Sequence, residues 1–282
     1  MFDRETLTAL REGESIGAAY ASLKDAIEIS DGSVAALPSD YKLHDLEKFL
    51  PFRRRARGTM TTSMLDAFAE YTKAHAESGA SVFVNADEMS ATAVLNLGNP
   101  GDPGHTDNKA KLETKRTSAF AALLFIANGA PVKQAAVAEF IEDWPDSIRC
   151  FNAEGDIANG KAVAAVRKLT IESMRKVESE DQQLSASRSA FESVQATSKD
   201  PIPTIIEFCC QPYADLHIRT FAVRLGIRTD GDKPSITLRI IKFEQHAEEM
   251  AVELADLISA SFKGNVEGSP IPVLIGKYSR TE

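Results

Sequence analysis

Residues 81–117 read SVFVNADEMSATAVLNLGNPGDPGHTDNKAKLETKRT, and their patterning decides the fold. Polar and apolar residues alternate on both sides of GNPGDPGHTDN (98–108), as they do in strands with one buried face. The alternation predicts a strand starting at Val82–Val84, a second over Thr92–Leu97 and a third over Lys111–Lys115. In the third, Leu112 and Thr114 alternate with Lys111, Glu113 and Lys115. The loop between them is the chain's one concentration of unusual turn chemistry. Gly98, Gly101 and Gly104 permit tight turns, and Pro100 and Pro103 stiffen it.

Helical spacing follows on the C-terminal side. Thr117 or Ser118 opens a helix through Phe120, Leu123, Leu124 and Ile126, which ends at Gly129. Pro131 suits the first turn of a second helix carrying Val132, Val137, Phe140, Ile141 and Trp144. A short Gly-Ala turn predicts that the two pack as a helical hairpin, with Trp144 sealing it onto the sheet. On the N-terminal side, Thr61 or Thr62 is the expected cap of a helix running to about Glu77, with Met64, Leu65, Phe68 and Tyr71 inward. Residues 3–29 carry a helical pattern weakened by Gly13 and Gly17, and residues 30–58 are mostly connection.

Beyond residue 150 the pattern becomes long and regular. Val163, Thr170, Val177, Leu184 and Phe191 recur every seven residues, so one long central helix over Gly160–Thr197 is expected, or two helices broken near Glu180. From Thr204 the character turns to β. IIEFCC (205–210) is a strand candidate, and 217–243 reads as a hairpin around TDGDKP (229–234). An amphipathic helix over Glu244–Phe262 and a last strand in IPVLIGKY (271–278) complete a β-β-α-β order. The class expected is α+β, with mixed or antiparallel sheets and packed helices. The expected divisions are 1–150, 151–200 and 201–282, with the first and last open to being one domain.

The 282 residues carry a formal net charge of −9, with ordinary apolar content. Such a surface disfavours non-specific nucleic-acid binding by the molecule as a whole, but not at a local basic site. No apolar run reaches the length of a membrane span, and the acidic start MFDRETL lacks a signal-peptide pattern, so a cytoplasmic protein is expected. Cys150, Cys209 and Cys210 form neither a disulfide framework nor a zinc motif.

Candidate functional groups are few. Asp102, His105 and Asp107 place two carboxylates and an imidazole in the central loop, enough to suggest a divalent metal or acid–base work but short of a full ligand set. The prolines and aspartates of that loop argue against a phosphate cradle. No nucleophile elbow, metalloprotease helix or dinucleotide fingerprint occurs. Arg53, Arg54, Arg55 and Arg57 make one basic cluster, suited to phosphates or to an acidic protein partner. Residues 217–242 carry six basic residues against two acids, and Arg224, Arg228 and Arg239 can share one outer face. Phe221 has the opposite parity, so that hairpin offers no aromatic beside them.

The blocks LPSDYKLHDLEKFLPFRRRARGTMTT, VFVNADEMSATAVLNLG, PGHTDNKAKLETKRTSAFAALL and FIEDW, within residues 37–144, resemble the YfdQ-like family of bacterial and prophage proteins. That resemblance implies a cytoplasmic phage or prophage accessory protein and supplies no catalytic residues, no cofactor and no reaction. The expected function is a non-enzymatic, self-assembling accessory protein. A single-stranded DNA-binding or annealing factor and a metal-dependent enzyme at the 102–107 loop are the alternatives.

Overall fold

In a computed structural model, the described residues are 50–168, 201–228, 235–263 and 270–279, with Arg11, Glu14, Gly17 and Glu47 ahead of them. The chain divides into two compact units, Met1–Ala56 and Arg57–Glu282. In the first, Glu47 accepts through its carbonyl from the Leu50 N–H and through its carboxylate from the Arg54 N–H.

The second unit is α+β. Its strands are β1 (Gly58–Thr62), β2 (Ser81–Asn85), β3 (Ser90–Val94), β4 (Gly98–Asn99), β5 (Asp102–Pro103), β6 (Asn108–Glu113), β7 (Asn128–Val132), β8 (Ile148–Asn152), β9 (Gly155–Ile157), β10 (Ile205–Cys210), β11 (Arg219–Arg228), β12 (Ser235–Ile240) and β13 (Val273–Ile275). Among its described residues the helices are α1 (Leu65–His75), α2 (Ser118–Ile126), α3 (Gln134–Asp143), α4 (Asn159–Lys168) and α5 (Phe243–Phe262). Sheet I has the order β1-β6-β3-β2-β13 and is mixed, with parallel pairs at both edges. Sheet II has the order β7-β12-β11-β10-β8-β9 and is antiparallel throughout.

The alternating strands of the opening sequence are the centre of sheet I. Val82, Val84, Ala91, Ala93, Ala110 and Leu112 are buried on its inner face. The observed strands β3 and β6 each begin a few residues before the expected spans. Helix α5 lies between the sheets. It packs on α1, β2 and β13, and its His246 ring meets the Phe221 ring of β11. Met250, Leu254 and Ile258 are completely or almost completely buried, each worth roughly 1.5–3 kcal/mol over exposure. Helix α2 starts with Thr117, whose hydroxyl oxygen accepts from the Phe120 N–H. Phe120 then stacks on Phe221 at 5.2 Å.

Several expectations need correction. Residues 58–62 are an edge strand and not a helix cap: the β-branched threonines pair with β6, and α1 begins only at Leu65. The segment between α2 and α3 is the strand β7, paired to β12, and not a tight helical turn. Its Pro131 is tolerated because β7 is an edge. Trp144 does reach sheet II, meeting Phe208 edge-on at 5.9 Å. The hairpin β8–β9 corresponds to none of the expected elements. The β-β-α-β order holds over β11, β12, α5 and β13, with β13 joined to sheet I through β2. Of the long heptad pattern, α4 is described; everything after Lys168 in the expected 160–197 helix lies outside the described residues, as do most of the 3–29 pattern and the 229–234 turn.

The GNPGDPG loop folds into a two-residue-strand hairpin, β4–β5, pressed against the turn at residues 77–80. Its contacts are backbone on backbone: the Gly98 N–H donates to the Ser78 carbonyl at 3.1 Å, and the Gly104 N–H to the Leu97 carbonyl at 2.9 Å. Gly79 and Gly98 have φ of +74° and +73°, and a Cβ on Gly79 would stand 1.8 Å from the Gly98 oxygen. A Cβ on Gly101 would meet only the Asn99 side chain, at 3.5 Å. Glycine is therefore required at 79, 98 and 104 and dispensable at 101.

Glu253 ties α5 to β11. Its carboxylate accepts from the His217 N–H at 2.6 Å and from the Arg219 guanidinium, and it contacts His217 Nδ1 at 2.5 Å. Burial alone would push this carboxyl up. The His217 N–H, Arg219 and the His217 ring outweigh burial and hold it below its ordinary value of 4.5.

Two predictions follow for urea unfolding. Gly98→Ala should cost about 2 kcal/mol or more and Gly101→Ala under about 0.5 kcal/mol; equal costs would show that the close approach is not the cause. Glu253→Gln should lower stability by about 1–2 kcal/mol at neutral pH. A depressed carboxyl stabilises above its unfolded pKa and loses that contribution as pH falls through the folded one. The gap between wild type and variant should therefore close below pH 4.5. A gap that persists at lower pH would assign the cost to shape and not to charge.

Candidate functional site

Sheet II has one buried face and one open face. Ile206, Phe208, Phe221, Val223, Leu225, Leu238 and Ile240 point into the core. The opposite parity faces outward, where Arg149, Cys209, Thr220, Arg224 and Arg239 are exposed. The strand pairings align one row straight across this face: Asp156, Phe151, Ile205, Arg224, Arg239 and Asn128. Phe151 is half-buried, with the Arg149 guanidinium 5.1 Å from its ring centre. Arg149 also pairs with Asp156 at 3.1 Å.

Arg224 and Arg239 are direct cross-strand partners. Two like charges placed opposite one another destabilise a sheet. Among the described residues neither guanidinium has a salt-bridge partner, although Glu207 lies diagonally across on β10. The positive charge thus sits at the β11–β12 end, while the β8–β9 end carries a neutralised pair and an aromatic ring. Arg228 pairs through its backbone with Ser235 at the far end of the hairpin.

Phe221 is buried on the inner face, as its parity requires. The open face nevertheless has an aromatic, because β8 supplies Phe151 from outside the hairpin. Ile148 and Cys150 alternate with Arg149 and Phe151, and Asn152 closes the turn by accepting from the Glu154 and Gly155 N–H groups. That alternation and its Asn-x-x-Gly turn were the available signal.

The other candidates stand apart. Asp102 and His105 are exposed in the β4–β5 hairpin and the segment after it. Asp107 accepts from the Asn96 side-chain amide at 2.8 Å, which in turn accepts from the Asn108 N–H. Among the described residues no three His, Cys, Asp or Glu side chains gather as a metal site would need. Arg53, Arg54 and Arg57 are exposed and Arg55 is half-buried; Arg53–Arg55 belong to the first unit and Arg57 to the second. Among the described residues no helix is long and apolar enough to cross a membrane.

The cysteines differ sharply. Burial pushes the Cys150 and Cys210 thiols up to about 12, with Asp156 adding to the first and Cys209 to the second. Cys209 is exposed on the open face, opposite Thr220.

Neither the curated proteins nor the solved structures contain a match to this chain. One family model does match, described as "Uncharacterized conserved protein (DUF2303)", over residues 11–278. The chain belongs to the DUF2303 family.

Proposed function

We propose that this chain is a non-enzymatic accessory protein of the cytoplasm that holds single-stranded nucleic acid on the open face of sheet II. The observation that carries this is the Arg224–Arg239 pair, two facing cations without a salt bridge among the described residues, in line with Phe151. Neighbouring strands lie about 4.8 Å apart, so the row sets an aromatic ring roughly 10 Å from the first arginine and 14 Å from the second. A single strand presents both of the groups such a row can engage, phosphates for the guanidinium forks and a base for the ring. A double helix offers no free base face. The YfdQ-like resemblance adds a bacterial or prophage setting to this role. The Arg53–Arg57 segment, in its own right, is a further candidate for phosphate contacts.

The exposed thiol provides a direct readout. Labelled oligo(dT) should bind at low salt and weaken as salt rises. Bound strand should slow alkylation of Cys209 while Cys150 and Cys210 stay unreactive. Arg224→Glu with Arg239→Glu should reduce affinity at least about tenfold. Absence of binding at low salt, or binding with no effect on Cys209 or from the double variant, would defeat the proposal. An acidic protein protecting Cys209 in place of DNA would replace it.

Self-assembly is a second proposal, supported by a different feature. Strand β13 is an edge of sheet I, and its Leu274 and Ile275 are 51% and 54% exposed. An uncovered apolar edge can pair with the same edge of a second copy. Light scattering after size exclusion should show an oligomer that Ile275→Lys dissociates. A monomer across micromolar concentrations would remove this proposal.

A further inference from the structure

A cavity of about 560 Å³ opens where α2, β7, β12 and α5 meet. Leu124, Ile240 and Phe243 form its apolar wall, and Asn128, Arg239 and Glu244 stand at its rim. The volume lies within the range of small-ligand sites. Arg239 belongs both to this rim and to the exposed row of sheet II, so the cavity and the open face share that residue. The β12–β7 register shifts between Thr237 and Arg239, beside the cavity. Such irregularities re-aim side chains and are frequent next to functional sites.

We infer that this cavity receives an unstacked nucleobase carrying an exocyclic amine, guanine first, from a strand lying on the open face. The inference rests on that face binding nucleic acid. The wall suits a flat apolar body, with Phe243 offering an aromatic ring. Asn128 is occupied in shaping the corner: its Oδ1 accepts from the Ala130 N–H at 2.7 Å and its Nδ2 donates to the Phe125 carbonyl at 3.1 Å. Two charged groups of opposite sign remain at the rim, and neither forms a salt bridge among the described residues. A bare anion would satisfy Arg239 and be repelled by Glu244. A nucleotide satisfies both, its phosphate on the guanidinium and the N–H donors of its base on the carboxylate. Guanine offers a ring N–H and an adjacent amine, which a carboxylate accepts together. Adenine and cytosine offer an amine alone. Thymine presents carbonyls on either side of its N–H, which the carboxylate disfavours.

The full chain, labelled with ¹⁵N, is titrated with dGMP and separately with dTMP. The backbone amides of Gly129, Phe243 and Glu244 should shift with dGMP and remain in place with dTMP. In parallel, oligo(dT) with one central dG should bind about tenfold more tightly than oligo(dT) alone. Glu244→Ala and Leu124→Trp should each erase that difference and leave oligo(dT) affinity intact, whereas Arg224→Glu should weaken both oligonucleotides. If oligo(dT) binds and Arg224→Glu weakens it but the dG adds nothing, the cavity inference is overturned and the face stands. If no oligonucleotide binds, the face falls and the cavity inference falls with it.

Discussion

Helix α5 has two sheets to satisfy, and the second unit is organised around that requirement. Met250, Leu254 and Ile258 are buried among the core residues, while His246 and Glu253 reach β11. One helix covering part of both sheets leaves little apolar surface for a third layer. Sheet II therefore buries one face under α2, α4 and α5 and presents the other to solvent. The open face follows from the way the core is shared, and the exposed arginines on it are compatible with the core because they share the outward parity.

Much of this was legible. Period-two alternation located β2, β3 and β6 of sheet I and the β11–β12 hairpin, because each has one face in the core and one outside. The amphipathic stripe located α5 to within a residue. The class, α+β, followed from these. Partner choice was less accessible. β13 lies directly after α5 in sequence, yet it pairs with β2, because side-chain patterning specifies which face is buried and not which strand lies alongside. β7 was hidden for a related reason. Its Asn-Gly-Ala-Pro composition reads as a turn, and only an edge position makes Pro131 acceptable in a strand. The candidate site suffered most from the missed β8–β9 hairpin, since Phe151 and Asp156 complete a row whose other half was visible in Arg224 and Arg239.

The central glycine loop shows how a conspicuous motif can be architectural. Gly79, Gly98 and Gly104 allow backbone to touch backbone, and Asp107 is engaged by Asn96. The positive charge lies instead on sheet II, inside a chain of net −9. At physiological ionic strength fields between exposed charges fade over about 8 Å. Two guanidiniums on adjacent strands act within that distance of each other, whereas acids on remote surfaces are screened from them. Net charge is thus a poor guide to what this face attracts.

The β2–β13 pairing also has a kinetic meaning. Val82 and Val273 are about 190 residues apart, and the ladder between them closes one edge of sheet I against α5. A contact this distant in sequence carries a large closure entropy and forms late. During synthesis the inner strands β2, β3 and β6 can assemble as soon as they emerge, but β2 must wait with an unpaired edge until Val273–Ile275 have been made. The nascent protein thus passes through an interval in which the free edge of β2 is open to any neighbouring chain.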